Sequence, residues 1–339
     1  MPSPFRRFPP SQGSLYEELD NQDRPAPLAR PLEPSQAIAL YWVTALFTLH
    51  ITRYLLASTD TRFPYPLTVL LLQLILGAGA IKGYRAIRSA KSPLRARPIR
   101  WEGQVARQAV PLLLLYPISL LLNTWCQSFL SVSALPIFRA LSLPISLLLL
   151  RSSFGIGASW KEWFGVGSIL MAFWVLCYGQ AGSSSSSLST PGTLLGLFLA
   201  LTLSLQQAYV PVALHATDGD ILSLVYHICI ASLVLLSPGY LFISHELGEI
   251  MEHVYFLGSP TFWVHIALSS GCSLLLLLAS FHQIASAGPM THAFSCASRL
   301  ALQPLVTTLI LGSSAVTFFS GFSILLLVLG GNYVYGMSR

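Results

Sequence analysis

Carboxylates are missing from the interior of every long apolar stretch of this 339-residue chain, although it holds 13 Asp and Glu in all. They fall in the N-terminal segment, in loops or, like Glu162 and Asp220, at the edge of an apolar run. Charge of either sign is scarce, at 9% of residues, where a soluble domain carries roughly 25%. With 53% hydrophobic residues and a mean hydropathy of +0.64, that scarcity excludes a soluble globular protein and points to a polytopic membrane protein.

Other absences narrow the chemistry. The five cysteines, Cys126, Cys177, Cys229, Cys272 and Cys296, form no CxxC pair, so neither a disulfide framework nor a metal site is expected, and they read as small buried hydrophobes. Residues 1–35 carry eight prolines and no apolar signal-peptide core, which predicts a disordered cytosolic tail and a first span that acts as internal signal. A membrane transferase acting on lipid-linked phosphates needs clustered carboxylates to hold Mg²⁺. Outside the N-terminal segment the only acidic residues within two positions of each other, Asp218 and Asp220 around Gly219, read instead as a turn and helix cap. A proton- or cation-coupled symporter normally uses an intramembrane Asp or Glu. Only His50, His227, His282 and His292 keep proton coupling open.

What is present is a series of apolar runs, near 36–57, 66–82, 109–128, 132–150, 160–179, 191–211, 220–244, 261–284, 288–311 and 315–336. Each is close to the ~20 residues a helix needs to cross a bilayer. The net charge of +6 is concentrated in loop 83–108, with Arg85, Arg88, Lys91, Arg95, Arg97, Arg100 and Arg107 against a lone Glu102. By the positive-inside rule that loop is cytosolic, and counting spans puts both termini there too. The acidic Glu246, Glu249 and Glu252, without basic neighbours, fall on the opposite side. The basic charge is thus a topology signal and not a nucleic-acid footprint.

The fourth and ninth runs look alike: Arg139-Ala-Leu-Ser-Leu-Pro144 matches Arg299-Leu-Ala-Leu-Gln-Pro304. The following runs continue the match, with Phe164, Ser168-Ile-Leu170 and Tyr178 against Phe319, Ser323-Ile-Leu325 and Tyr333. Copies five spans apart cross in opposite directions, the pattern of transporters that alternate access by rocking one repeat against the other. The expected fold is therefore all-α, about ten transmembrane helices in two inverted five-helix repeats, 36–179 and 191–336, joined by a Ser-rich luminal loop at 180–190.

An ordered set of motifs resembles the drug/metabolite transporter superfamily, its nucleotide-sugar and triose-phosphate transporters, and among these the GDP-fucose transporters of the Golgi and endoplasmic reticulum. Tyr41-Trp-Val-Thr44 through Arg53-Tyr-Leu-Leu56 is similar to that family's YWVT…KYLL opening. Asn123 and Ser131-Val-Ser133…Phe138-Arg-Ala-Leu141 resemble its third and fourth spans. Gly288-Pro-Met-Thr-His292…Ser295…Arg299 resembles its SPLTHNVSGTAK segment, and Gly330-Gly331…Tyr333 its C-terminal GGSSAY. Where GDP-sugar transporters carry FYNN, this chain has Val225-Tyr226-His227-Ile228, without the asparagines; where they carry Gly-x-x-Lys, it has Cys296-Ala-Ser-Arg299.

The resemblance implies a nucleotide-sugar antiporter of the Golgi or endoplasmic reticulum membrane, GDP-sugar class, that exchanges cytosolic nucleotide sugar for luminal nucleoside monophosphate. A sugar-phosphate or organic-phosphate exchanger and a non-transporting scaffold are the alternatives. It also implies that the seventh-span motif, here Tyr226 and His227, contacts the base and that the ninth-span motif, here Ser295 and Arg299, contacts the rest of the ligand. No cofactor or metal is expected, nor any nucleic acid; the partners are a phosphorylated small-molecule anion and the bilayer, with a homodimer left open.

Three arginines stand inside apolar runs, where a charge costs at least ~2.5 kcal/mol and usually faces a cavity. Arg299 is mid-span, too deep to snorkel easily, and its guanidinium suits a diphosphate. Arg139, its repeat mate, reads either as a second phosphate clamp or as a tie to carbonyls freed by Pro136 and Pro144. Arg53, near a span end, either snorkels or meets substrate. Tyr226 and His227 read either as base contacts or as ordinary interface residues, and Asn123, like Gln206, Gln207, His282 and Gln283, as helix–helix glue or ligand contact.

Overall fold

Six helices are long and apolar enough to cross a bilayer among the residues described by a computed structural model of the chain. The described residues are 33–53, 63–91, 103–130, 134–154, 159–180, 190–217, 219–242, 244–254, 258–311 and 318–337. They form helices α1 (Pro34–Arg53), α2 (Pro66–Lys91), α3 (Gly103–Phe129), α4 (Ala134–Ala140), α5 (Ser142–Phe154), α6 (Trp160–Gln180), α7 (Thr190–Ala216), α8 (Ile221–Phe242), α9 (Glu246–His253), α10 (Pro260–Ala287), α11 (Pro289–Leu311) and α12 (Phe318–Gly336), and no strand. The six apolar helices are α2, α3, α7, α8, α10 and α12. The N-terminal segment through residue 32 and the serines 183–187 lie outside the described residues.

The structure redraws several expected boundaries. The run read as one span over 132–150 breaks at Leu141 into α4 and α5. Pro144 has no N–H to give the carbonyl of Ala140, so the ladder fails one turn before it. The Ser142 hydroxyl turns back to donate to the Arg139 carbonyl at 2.6 Å, and Ser204 of α7 donates to the Ser142 carbonyl at 2.8 Å. The repeat mate α11 runs unbroken through Pro304. Much of the basic loop read as 83–108 is helical: α2 continues to Lys91 and α3 starts at Gly103, because Ala, Arg and Lys favour helix once the chain leaves the bilayer. Residues read as a luminal loop contain the short helix α9.

The chain divides into two compact units, and each takes helices from both halves of the sequence. One joins Trp125–Ala208 to Gly288–Arg339; the other joins Glu33–Thr124 to Tyr209–Ala287.

In the first unit, α5, α6, α11 and α12 share a core that includes Leu143, Leu147, Ile169, Phe173, Phe294, Ala297, Ile324 and Val328. Helices α6 and α12 run antiparallel and approach closely at Gly165 and Gly331, where a Cβ on either glycine would stand 3.0 Å from the other's carbonyl oxygen. Ser168 of α6 donates to the Leu327 carbonyl at 2.8 Å. Small residues at a crossing let two backbones meet in lipid, where apolar packing supplies no net drive of its own. The opposite face of α12 exposes Phe319, Phe322, Leu326, Leu329 and Tyr333 in one stripe, the composition of a lipid-facing surface. Glu162, at the first turn of α6, closes a capping box: its carboxylate accepts the Ser159 N–H at 2.8 Å and its own N–H donates to the Ser159 hydroxyl at 3.3 Å.

In the second unit, α1 packs along α10, and α2 lies between α8 and α10. Thr48 donates to the Cys272 carbonyl at 3.0 Å and Gln73 to the Ser269 hydroxyl at 2.8 Å. Phe63, Tyr65, Val69, Ile250, Phe262 and Ile266 form a separate cluster beneath α9. There Glu246 caps α2 across 178 residues of sequence: its carboxylate accepts the Leu67 N–H at 3.2 Å, the Thr68 N–H at 2.9 Å and the Thr68 hydroxyl at 2.8 Å. The orphan donors of a helix start are thereby met by another helix. Glu246→Ala should lower stability by about 0.5–2 kcal/mol, the range of a lost N-cap. Thermal unfolding of the detergent-solubilised protein checks this, with Glu252→Ala as the exposed control that should leave the transition where it is.

Candidate substrate-binding site

Helix α11 owes its orientation to the residues on its inner face. Met290, Ala293, Phe294, Ala297, Leu300 and Ala301 are all buried in the core of the first unit. Three polar or aromatic ties to α12 fix the helix about its own axis. Asn332 donates to the Ser298 hydroxyl at 2.7 Å, the Thr291 and Tyr335 hydroxyls lie 3.1 Å apart, and the Phe294 and Tyr335 rings stack with centroids at 3.9 Å. At about 100° per residue, His292, Ser295, Arg299 and Gln303 then fall together on the side opposite that inner face. His292 and Ser295 are buried, while Arg299 is half-buried.

The Arg139 helix adjoins this one. Both α4 and α5 pack on α11, so the two repeat-mate arginines belong to neighbouring helices of one unit. Arg139 occupies the last turn of α4, immediately before the break, and is half-buried between the buried Phe138 and Ala140. Its carbonyl is taken by Ser142. The break therefore sets where α4 ends and where its cationic side chain begins. Beside it, Ser146 donates to Gln207 Oε1 at 3.1 Å, which gives Gln207 the part of interhelical glue.

Tyr226, His227 and Asn123 belong to the second unit. Tyr226 and His227 stand on the second turn of α8, with rings edge to face at 5.7 Å. His227 Nδ1 lies 2.8 Å from the Ser223 carbonyl. A carbonyl only accepts, so Nδ1 carries a proton and donates it there. Tyr226 packs on a core that includes Val225, Ile228 and Leu224, and is half-buried. Asn123 is half-buried near the end of α3. Arg53 is the last residue of α1, and its side chain lies outside the described residues.

The start of α8 is built as the sequence led one to expect, and then further. Gly219 adopts φ +74°, the left-handed turn that favours glycine, and Asp220 Oδ1 accepts the Ser223 N–H at 3.1 Å as an N-cap. The sequence reading missed that the other oxygen of Asp220 accepts from Arg85 Nη2 at 2.7 Å. Nothing in the order of residues joins a helix end at 85 to a cap at 220. It also missed Asn332 and Gly196, whose partners Ser298 and Phe138 lie on other helices; in Asn332 the signal was an amide on an otherwise apolar helix.

Among the described residues no group of three His, Cys, Asp or Glu could hold a metal ion. What the two units offer is cationic and hydrogen-bonding on α4 and α11, aromatic and imidazole on α8. The first suits phosphate oxygens and the second a planar ring.

No family model matches the chain. GDP-fucose transporter 1 of Mus musculus is 25% identical over 327 residues, 96% of this chain and 88% of its own. GDP-fucose transporter 1 of Dictyostelium discoideum is 24% identical over 90% of this chain and 80% of its own, and the GDP-fucose transporter, Golgi, of Drosophila melanogaster is 22% identical over 87% and 86%. A protein known from its crystal structure, 12% identical, superposes with a TM-score of 0.61 over 89% of this chain and 97% of its own, which shows a common fold alone.

Proposed function

We infer that this chain, a divergent relative of the GDP-fucose transporters, carries nucleotide sugars across a membrane of the secretory pathway and is not an enzyme. The observation that carries this reading is likeness to several such transporters over most of both lengths. The arginines and the absence of carboxylates inside the described apolar helices support an anionic cargo.

The mechanism is antiport. A cytosolic nucleotide sugar, GDP-sugars first among them, enters as a nucleoside monophosphate leaves the lumen, by alternating access of two inverted five-helix repeats, 36–179 and 191–336. The antiparallel α6 and α12, each the last helix of its repeat, support that symmetry. Arg299 takes the diphosphate with a bidentate fork, assisted by Ser295 and by Arg139 from the break before α5. Tyr226 and His227 take the base, Asn123 lines the path, and Arg53 meets the ligand at the luminal end of α1. The membrane is that of the Golgi, with the endoplasmic reticulum as alternative, and both termini face the cytosol.

A sugar-phosphate exchanger is the second reading, favoured by one observation: Tyr226-His227 stands without the paired asparagine amides suited to guanine. Liposomes preloaded with GMP, UMP or CMP, offered a panel of nucleotide sugars and sugar phosphates, decide between the two. GMP-driven uptake of a GDP-sugar is the expected result. Uptake of sugar phosphates alone would favour the second reading, and no uptake above empty liposomes would sink both.

A further inference from the structure

On this reading of the chain as a nucleotide-sugar carrier, we propose that Arg85 binds a phosphate of the incoming nucleotide at the cytosolic end of the second unit, and that Asp220 holds its place until then. Arg85 belongs to the basic segment that sets topology, but the structure separates it from its neighbours. It forms the one ion pair found among the described residues, with side chains 21% and 38% exposed.

The pair is built with one prong. A guanidinium presents Nε and Nη as a fork that a carboxylate can match with two oxygens. Asp220 has only Oδ2 for Arg85, because Oδ1 accepts the Ser223 N–H and caps α8. Arg85 Nε is left shielded from solvent with no acceptor. A buried donor without a partner carries a desolvation cost. A phosphate has no competing duty and offers enough oxygens to meet both prongs.

The surroundings agree in sign and in spacing. The site lies at the N-terminus of α8, the end of a 22-residue helix whose dipole favours an anion. Tyr226 and His227 follow on the same helix, about 10 Å along its axis from Asp220 at 1.5 Å per residue. A ligand with phosphate at Arg85 and a planar ring at Tyr226 and His227 has the form of a nucleotide, held so on entry before its phosphate passes to Arg299. Asp220 can give up Arg85 and remain the cap, so the exchange leaves the start of α8 intact.

The opposite signs of two substitutions test this. The full-length protein is reconstituted in GMP-loaded liposomes, and the KM and Vmax of radiolabelled GMP uptake are measured. Arg85→Gln should raise KM about tenfold or more, as for loss of a charge-assisted hydrogen bond. Asp220→Asn keeps the cap, because Asn serves as well as Asp there, but frees the fork, and should lower KM. If both substitutions raise KM together, the pair is only a pin between α2 and α8 and the proposal falls; unchanged KM in both overturns it as well. Should Arg85→Gln fail to fold, the direction of the Asp220→Asn shift decides alone. A wild-type protein that takes up no GMP above empty vesicles overturns the GMP-exchange reading itself, a result distinct from either.

Discussion

Arg299→Ala should bring nucleotide exchange down to the level of empty liposomes while the yield of folded, monodisperse protein stays at that of the wild type. The physical grounds are the division of labour on α11. Its packing is carried by Phe294, Ala297, Leu300, Ala301 and the Ser298–Asn332 bond, none of which the substitution touches. Arg299 lies half-buried on the other side of the helix, and on the proposed reading this costly charge is kept for the ligand it binds. Removing it therefore removes phosphate recognition before it removes fold. Arg299→Lys keeps the charge and loses the planar fork, so it should retain exchange at a raised KM. Wild-type rates in the alanine variant would make the residue structural and move phosphate binding elsewhere.

Gly196→Ala should be the most damaging of the conservative substitutions in the first unit. A methyl on Gly196 of α7 would clash with Cγ, Cδ1 and Cδ2 of the Phe138 ring, with Cδ1 at 2.6 Å, well under any real contact. Phe138 is buried and immediately precedes Arg139, so the ring has little room to withdraw without moving the end of α4. Overpacking of this kind costs about 1–3 kcal/mol. The expected observation is a lowered midpoint of thermal unfolding in detergent, with exchange reduced through displacement of Arg139. Phe138→Leu in the same chain should recover part of the midpoint, because the smaller side chain vacates the space the methyl needs. An unchanged midpoint for Gly196→Ala would mean that α4 and α7 do not meet as described.

Parts of this were legible in the order of residues. Asp220 after Gly219 read as a cap and is one. Pro144 stood in the run as a helix disturber, but only the structure located the interruption at Leu141, where Ser142 donates back to the Arg139 carbonyl and Ser204 of α7 to the Ser142 carbonyl. Glu246 read as a mark of sidedness and acts as the cap of a helix that begins 180 residues earlier. For the candidate site, Arg299, Ser295 and Arg139 could be named from their motif, whereas the ties that aim them, Asn332 and Tyr335, could not.

The sequence by itself determined that the chain lives in a membrane, roughly where its long apolar helices run, and that the charge inside its apolar runs is cationic. Apolar length and loop charge are local properties, and the bilayer reads them one segment at a time. Only the tertiary structure decided which face of each helix meets protein. In lipid both faces of a span are apolar, so hydropathy holds no record of the inward side. That choice falls to small residues such as Gly165, Gly196 and Gly331 and to single polar pairs such as Ser298 with Asn332 and Arg85 with Asp220. Each has its meaning only through a partner far away in the chain.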